Sequence, residues 1–250
     1  MTTVAHVHAR MSRCIANRRM AAGERRGILS RERILATALE IADAHGPDAL
    51  TMRRVATELG VDPMALYRHV RNKDALLDGV VERLWDEVPP PRRDGNWVES
   101  LRAFGVGLRA VIDAHPRTST LLLTRRILPR RPLEAYDTLL GNLRDAGYDD
   151  TRATQILRSV ISTAYADAFA TLTYRCLAAA RSDADALITM SQLLPPDTPP
   201  HLVRTAHTIC GTCEPGADFT FVLDLILAGA QDLPRHHQTA NPPTPSPSRR

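Results

Sequence analysis

Aromatic residues make up only 4% of this 250-residue chain, and no stretch alternates Val, Ile and Thr with polar residues, so the raw material of sheets is missing. Ala, Leu and Arg dominate instead, which makes all-α the expected fold class. Four cysteines are too few and too scattered to build a disulfide framework. No uncharged apolar run approaches the roughly 20 residues of a membrane span, and His6, His8, Arg10 and Arg13 break up the opening segment where a signal peptide would need an apolar one. A cytoplasmic protein with no membrane partner is the expectation. Also missing are a Gly-x-Ser-x-Gly elbow, a Gly-x-x-x-x-Gly-Lys phosphate loop, a His-Glu-x-x-His helix and a Gly-x-Gly-x-x-Gly turn. No enzyme activity and no cofactor are expected. Lysine occurs once, at Lys73, so every other basic residue is arginine. The net charge of +4 suits an anionic partner, although part of the excess lies near the ends.

What is present is concentrated in residues 51–73, TMRRVATELGVDPMALYRHVRNK. Met52, Val55, Ala56 and Leu59 recur at helical spacing, with Thr51 placed to cap the helix they define. Gly60 follows the last periodic residue, where a residue without a Cβ adopts the left-handed turn cheaply. After Val61, Asp62 supplies a second capping oxygen and Pro63 takes the first helical position, where its missing N–H does no harm. Leu66 and Val70, four apart, point into a core. Pro63, Met64, Ala65, Tyr67, Arg68 and His69 are left to the tip and outer face. Asn72 reads as a third cap, which puts Lys73 in the first turn of the next helix. A cation there opposes the helix dipole unless an anion sits nearby, and a DNA phosphate is such an anion. A solvated Lys73 partly neutralised by Asp74 is the plainer alternative. Two short helices joined by a tight turn, with a basic aromatic tip, read as a helix-turn-helix.

This pattern resembles the DNA-binding domain of the tetracycline-repressor (TetR) family of transcriptional regulators. The likeness begins at Ser30, runs through RERILATALEIADAHG, and covers Leu50, Thr51, Val55, Ala56, Leu59, Gly60, Val61, Leu66, Tyr67, His69 and Lys73. It continues through ALLDGVVERLWDEV. The resemblance implies phosphate contacts for Thr51, Tyr67, His69 and Lys73. It implies base reading by Arg53, Pro63, Met64, Ala65 and Arg68, of which the arginines are able to grip a guanine edge with two hydrogen bonds.

Around this segment the expected organisation is a basic arm over 1–27, a helix-turn-helix head over 28–75, a connecting helix and helical effector-binding and dimerisation body over 76–235, and a Pro-rich tail over 236–250. The arm's arginines are available for added phosphate or minor-groove contacts, a solvated tail being the alternative. Ile34, Leu35, Ala38, Ile41 and Ala42 define the head's supporting helix, ended by Gly46 and Pro47. Leu76, Leu77, Val80, Val81, Leu84 and Val88 define the connecting helix, halted by Pro89, Pro90 and Pro91. Further helices are expected over 97–114, 118–128, 132–146, 150–181 and 217–233, with loops and a short helix over 183–200 and 210–216.

In the two long late helices, Ile156, Val160, Ile161, Ala164, Ala168 and Leu172, with Phe219, Val222, Leu223, Ile226 and Leu227, suggest a four-helix interface between two copies. Burial in the chain's own core is the alternative. The resemblance favours a homodimer on a near-palindromic double-stranded DNA operator and implies a small-molecule effector in the body. In tetracycline repressors an asparagine, a phenylalanine and a histidine hold drug and magnesium. Phe104, Leu108 and Leu122 stand at those positions here, so tetracycline is not expected and the effector is apolar. Phe104, Leu108, Leu139, Asn142 and Tyr165 are the candidate lining residues, plain core being the alternative. No metal is expected, the rival reading being a metal- or redox-responsive regulator using His201, His207, Cys210 and Cys213. An effector-independent DNA-binding protein is a third possibility.

Overall fold

The computed structural model describes residues 28–93, 96–125, 127, 129–175, 195, 197–209 and 217–234, of which 171–175, 205–209 and 217 are described by backbone only. The expected arm over 1–27, the tail over 236–250, the continuation of the long helix past Arg175, and Cys210 and Cys213 lie outside the described residues. Those described are helical with no strand, as the composition implies. In chain order the helices are α1 (Arg31–His45), α2 (Met52–Leu59), α3 (Pro63–Leu66), α4 (Lys73–Glu87), α5 (Trp97–Ala114), α6 (Leu121–Thr124), α7 (Arg130–Asp145), α8 (Asp150–Arg175), α9 (Pro200–Ile209) and α10 (Ala217–Gln231). No helix among them is long and apolar enough to cross a membrane.

The chain divides into two compact units, and the division does not follow chain order. Among the described residues, one unit holds 28–85 and 114–127, and the other holds 86–113 and those beyond 128. In the first unit, Ile34, Leu35, Ala38, Ile41 and Ala42 of α1 pack in a core with Leu50, Val55, Ala56, Leu66, Val70, Leu76, Val80 and Leu84. Helices α1 and α4 approach closely at Gly79, where an added Cβ would lie 2.4 Å from Leu35 Cδ2. The returning segment 114–127 is fastened to α1 by Asp43. Its carboxylate meets His115 Nδ1 at 2.7 Å and accepts from Thr118 Oγ1 at 2.6 Å, while Arg117 donates to the Ala44 carbonyl.

One expected helix is much shorter than its pattern. Among the described residues of 118–128 only Leu121–Thr124 is helical. Thr118 and Ser119 are fully buried, and the hydroxyls of Thr118, Ser119 and Thr120 bond to Asp43 or to nearby carbonyls, a competition that favours turns over helix. Conversely, α9 occupies residues to which no element had been assigned.

The second unit packs α5, α7, α8 and α10 around Leu101, Phe104, Leu108, Leu139, Leu143, Ile156, Val160, Ala164, Leu223 and Leu227. A Cβ at Gly105 would come within 2.9 Å of Val160 Cγ1, so α5 and α8 are nearly touching there. Tyr148 stacks edge-on against Trp97 and donates its hydroxyl proton to the Ala230 carbonyl at 2.7 Å, tying down the end of α10. Buried Arg109 lies between Asp113 and Asp167, bonding the latter through Nε at 2.6 Å. Most of the stripe residues assigned to a second copy in fact face this core: Ile156, Val160, Ala164, Ala168, Phe219, Leu223 and Leu227 are all buried. Helical rotation decides the difference, because α10 also carries Phe221, Val222 and Leu225 on its other side, and these remain exposed.

Candidate nucleic-acid interface

Each turn of the 51–73 segment is closed by a local hydrogen bond. Thr51 Oγ1 accepts from the Arg54 N–H at 3.1 Å and starts α2, leaving its hydroxyl proton to donate elsewhere. Gly60 ends α2 with φ +68° and ψ +33°, its N–H reaching the Ala56 and Thr57 carbonyls. Asp62 Oδ1 then accepts from the Met64 N–H at 2.7 Å, with Pro63 next in the chain. Asn72 Oδ1 accepts from Ala75 N–H at 2.8 Å, so that Lys73 opens α4. The chain thus changes direction twice within about a dozen residues without an unsatisfied cap.

Leu66 and Val70 are buried, at 0% and 3% exposure, and anchor the tip to the head's core. With these two side chains inside, the residues between them are turned outward. Met64 is 70% exposed and Tyr67 45%; Thr51, Arg53, Arg68, His69 and Lys73 are exposed, and Pro63 and Ala65 half-buried. Regular helix ends at Leu66, and Tyr67 to His69 continue as a tightened turn in which the His69 N–H meets the Leu66 carbonyl at 2.9 Å. All nine candidates therefore lie on one short, continuous stretch of the head. Arg71, exposed between Val70 and Asn72, is an additional cation on this edge that the motif reading passed over. Its position two residues before Lys73 was the available signal.

In the second unit, Phe104, Leu108, Leu139 and Asn142 are buried and Tyr165 is half-buried. The Phe104 ring meets Tyr136 edge-on, with centroids 6.1 Å apart. Burial pushes the Tyr165 phenol well above its usual range, the neighbouring Tyr136 adding to the effect; Tyr136 is itself raised by burial. Both phenols therefore keep their protons to higher pH than an exposed tyrosine. Tyr136 is a member of this group that sequence reasoning missed, since nothing local distinguishes it from a surface tyrosine. Asn142 donates to the Arg92 carbonyl at 2.8 Å and to Ser100 Oγ at 3.2 Å, and its buried Oδ1 has no hydrogen-bond partner among the described residues. An open groove of about 730 Å³ runs along α8 past Thr151, Thr154, Gln155, Arg158 and Ser159. Its polar lining is unlike the apolar pocket expected for the effector.

For the rival metal site, His201 is exposed with Nδ1 2.6 Å from Arg204 Nη2. The side chain of His207, and Cys210 and Cys213, lie outside the described residues. Among the described residues no group of three His, Cys, Asp or Glu side chains could hold a metal ion.

Comparison with known proteins matches residues 34–80 to the family described as "Bacterial regulatory proteins, tetR family" and residues 89–233 to "Tetracyclin repressor-like, C-terminal domain". The chain is 36% identical over 124 residues to the HTH-type transcriptional repressor DrrR1 of Streptomyces coeruleorubidus, a match spanning 49% of this chain and 46% of that protein. It is 31% identical to the class C tetracycline repressor protein of Escherichia coli over 82% of this chain and 92% of the relative. Among solved structures, the Streptomyces coelicolor TetR family protein ActR in complex with actinorhodin is 30% identical, with a TM-score of 0.65 over 81% of this chain and 95% of that one.

Proposed function

This chain belongs to the tetR family of bacterial regulatory proteins, and on that premise we propose that it is a ligand-responsive repressor that binds a near-palindromic operator as a homodimer. As a family member it is a DNA-binding transcription regulator and not an enzyme. The observation that carries the finer reading is the exposed edge from Met64 to Lys73, held out by the buried pair Leu66 and Val70. Thr51, Tyr67, His69 and Lys73, joined by Arg71, contact phosphates and set register. Arg53, Pro63, Met64, Ala65 and Arg68 meet base edges, the arginines by hydrogen bonds and the others by apolar contact with thymine methyls.

Exposed Phe221, Val222 and Leu225 on α10 support pairing with a second copy. A twofold dimer places two recognition helices about 34 Å apart, one turn of duplex, and so demands a near-palindromic site. The effector is an uncharged, largely aromatic molecule. Phe104, Leu108, Leu139 and Tyr165, with Tyr136, offer rings and aliphatic carbon with neutral phenols, and Asn142 Oδ1 leaves a buried acceptor for a hydroxyl. The solved complex of ActR with actinorhodin supports a small-molecule effector for this chain.

The test is selection of bound fragments from the source genome, followed by release of the enriched DNA with a panel of polycyclic aromatic compounds. One enriched motif with two half-sites about 10 base pairs apart, freed by a member of the panel, is the expected result. Failure to enrich any sequence would end the reading. Stoichiometric zinc in the purified protein would instead favour the alternative built on His201, His207, Cys210 and Cys213.

A further inference from the structure

Lys73 opens α4, and the next residue is an aspartate. Asp74 suits the helix start, where a negative charge is stabilised by the helix dipole, yet it is 76% exposed beside the lysine assigned to a phosphate. One turn on, Asp78 is 32% exposed on the same helix. Left alone, these two carboxylates outnumber Lys73 and would repel the phosphate it is to hold. A single residue from the segment 114–127 covers both. Arg125 Nη1 donates to Asp74 Oδ1 at 3.0 Å, Nη2 lies 3.4 Å from the Asp74 carbonyl, and Nε and Nη2 donate to Asp78 Oδ1 at 2.9 and 2.5 Å. The guanidinium, 23% exposed, is aimed by its place at the end of α6, where the Arg125 N–H closes the last turn on the Leu121 carbonyl.

We infer that Arg125 is a positioning residue for DNA binding: by pairing with Asp74 and Asp78 it offsets, together with Lys73, their two negative charges and keeps the start of α4 open to a phosphate without touching DNA itself. This rests on the DNA-binding reading above and deepens it. A lone exposed ion pair stabilises little. Here the pairing removes repulsion from a third, anionic partner, so its effect is read in DNA affinity more than in folding. The cation comes from more than 45 residues further along the chain, so the motif that defines the head does not contain it.

The experiment compares operator affinity of the full-length parent, Arg125→Ala, Arg125→Lys, Asp74→Asn and the double variant Arg125→Ala/Asp74→Asn, at several salt concentrations, with thermal midpoints measured alongside. Loss of one positive charge a few ångströms from a bound phosphate should weaken binding by Arg125→Ala about three- to tenfold at low salt. The deficit should shrink as salt is raised, because the repulsion is screened over about 10 Å at 0.1 M. Arg125→Lys should stay close to the parent. Adding Asp74→Asn to Arg125→Ala should recover most of the lost affinity without recovering the thermal midpoint, a pattern that a purely structural role for Arg125 does not produce. Asp74→Asn alone, which carries little folding risk, should bind no more weakly than the parent. Parent-like binding by Arg125→Ala, or a salt-independent deficit that Asp74→Asn leaves in place, would overturn the inference. A parent that binds no genomic fragment would overturn the DNA-binding reading itself.

Discussion

Adding one methyl group at Gly79 tests the packing that holds the connecting helix against the head. In an exposed helix, Gly→Ala stabilises by about 1 kcal/mol because the backbone has less freedom to lose. At Gly79 the new Cβ would lie 2.4 Å from Leu35 Cδ2 and 2.9 Å from Cδ1. Leu35 is 2% exposed in the core and has little room to move aside. Overpacking of this kind costs about 1–3 kcal/mol, so Gly79→Ala should destabilise the protein by a net amount near 1 kcal/mol. Leu35→Ala alone should cost about 2–5 kcal/mol through lost burial and the cavity left behind. In that background the sign reverses: the methyl at position 79 enters vacated space, and Gly79→Ala should stabilise by about 1 kcal/mol from helix propensity alone. The expected coupling is about 2 kcal/mol, well above the few tenths found between independent sites. Urea unfolding followed by tryptophan fluorescence measures it, since Trp85 lies buried in the same unit. Equal effects of Gly79→Ala in the two backgrounds would refute the close approach of α1 and α4.

Other perturbations address the interface and the body. Thr51→Ala removes the oxygen that caps α2 and should lower stability by about 1 kcal/mol, while Thr51→Ser should retain most of it; equal losses in thermal melts would count against the cap. Lys73→Ala should weaken binding to all DNA sequences alike and make the salt slope shallower by about one unit, whereas Arg53→Ala should relax sequence choice; titrations over a salt series and a set of operator variants separate the two. Leu225→Glu, placed on the exposed face of α10, should shift the protein to monomers in sedimentation experiments with its helix content intact; an unchanged oligomeric state would remove that face from the interface. Because burial raises the Tyr165 pKa, the unfolded chain loses that proton near pH 10 while the folded chain keeps it. Stability should therefore fall as pH rises above about 10, and Tyr165→Phe should make the alkaline fall shallower.

The turns of the head were legible because their determinants are local. A cap is satisfied within three residues, as Thr51, Asp62 and Asn72 show, and Gly60 carries its left-handed turn on its own backbone. Leu66 and Val70 were readable as the buried pair for the same reason, their four-residue spacing placing both on one side. The family likeness extended this reading to the body. By contrast, the segment 118–128 gave a helical pattern that its own hydroxyls broke, because Thr118 bonds to Asp43, 75 residues away. Nothing in the spacing of α10 distinguishes the buried Phe219, Leu223 and Leu227 from the exposed Phe221, Val222 and Leu225. Both sets are apolar, and the choice depends on which side α8 covers.

By itself, the order of residues determined an all-helical chain and a head whose turns, caps and outward edge follow from hydrogen bonds within a few positions and from the 3.6-residue period. Tertiary structure alone decided that 114–127 belongs with that head, that Arg125 shields Asp74 and Asp78, and that buried Arg109 meets Asp167. Such partners meet because distant segments are brought together by burial of apolar surface, which is non-directional and leaves no periodic trace in the sequence.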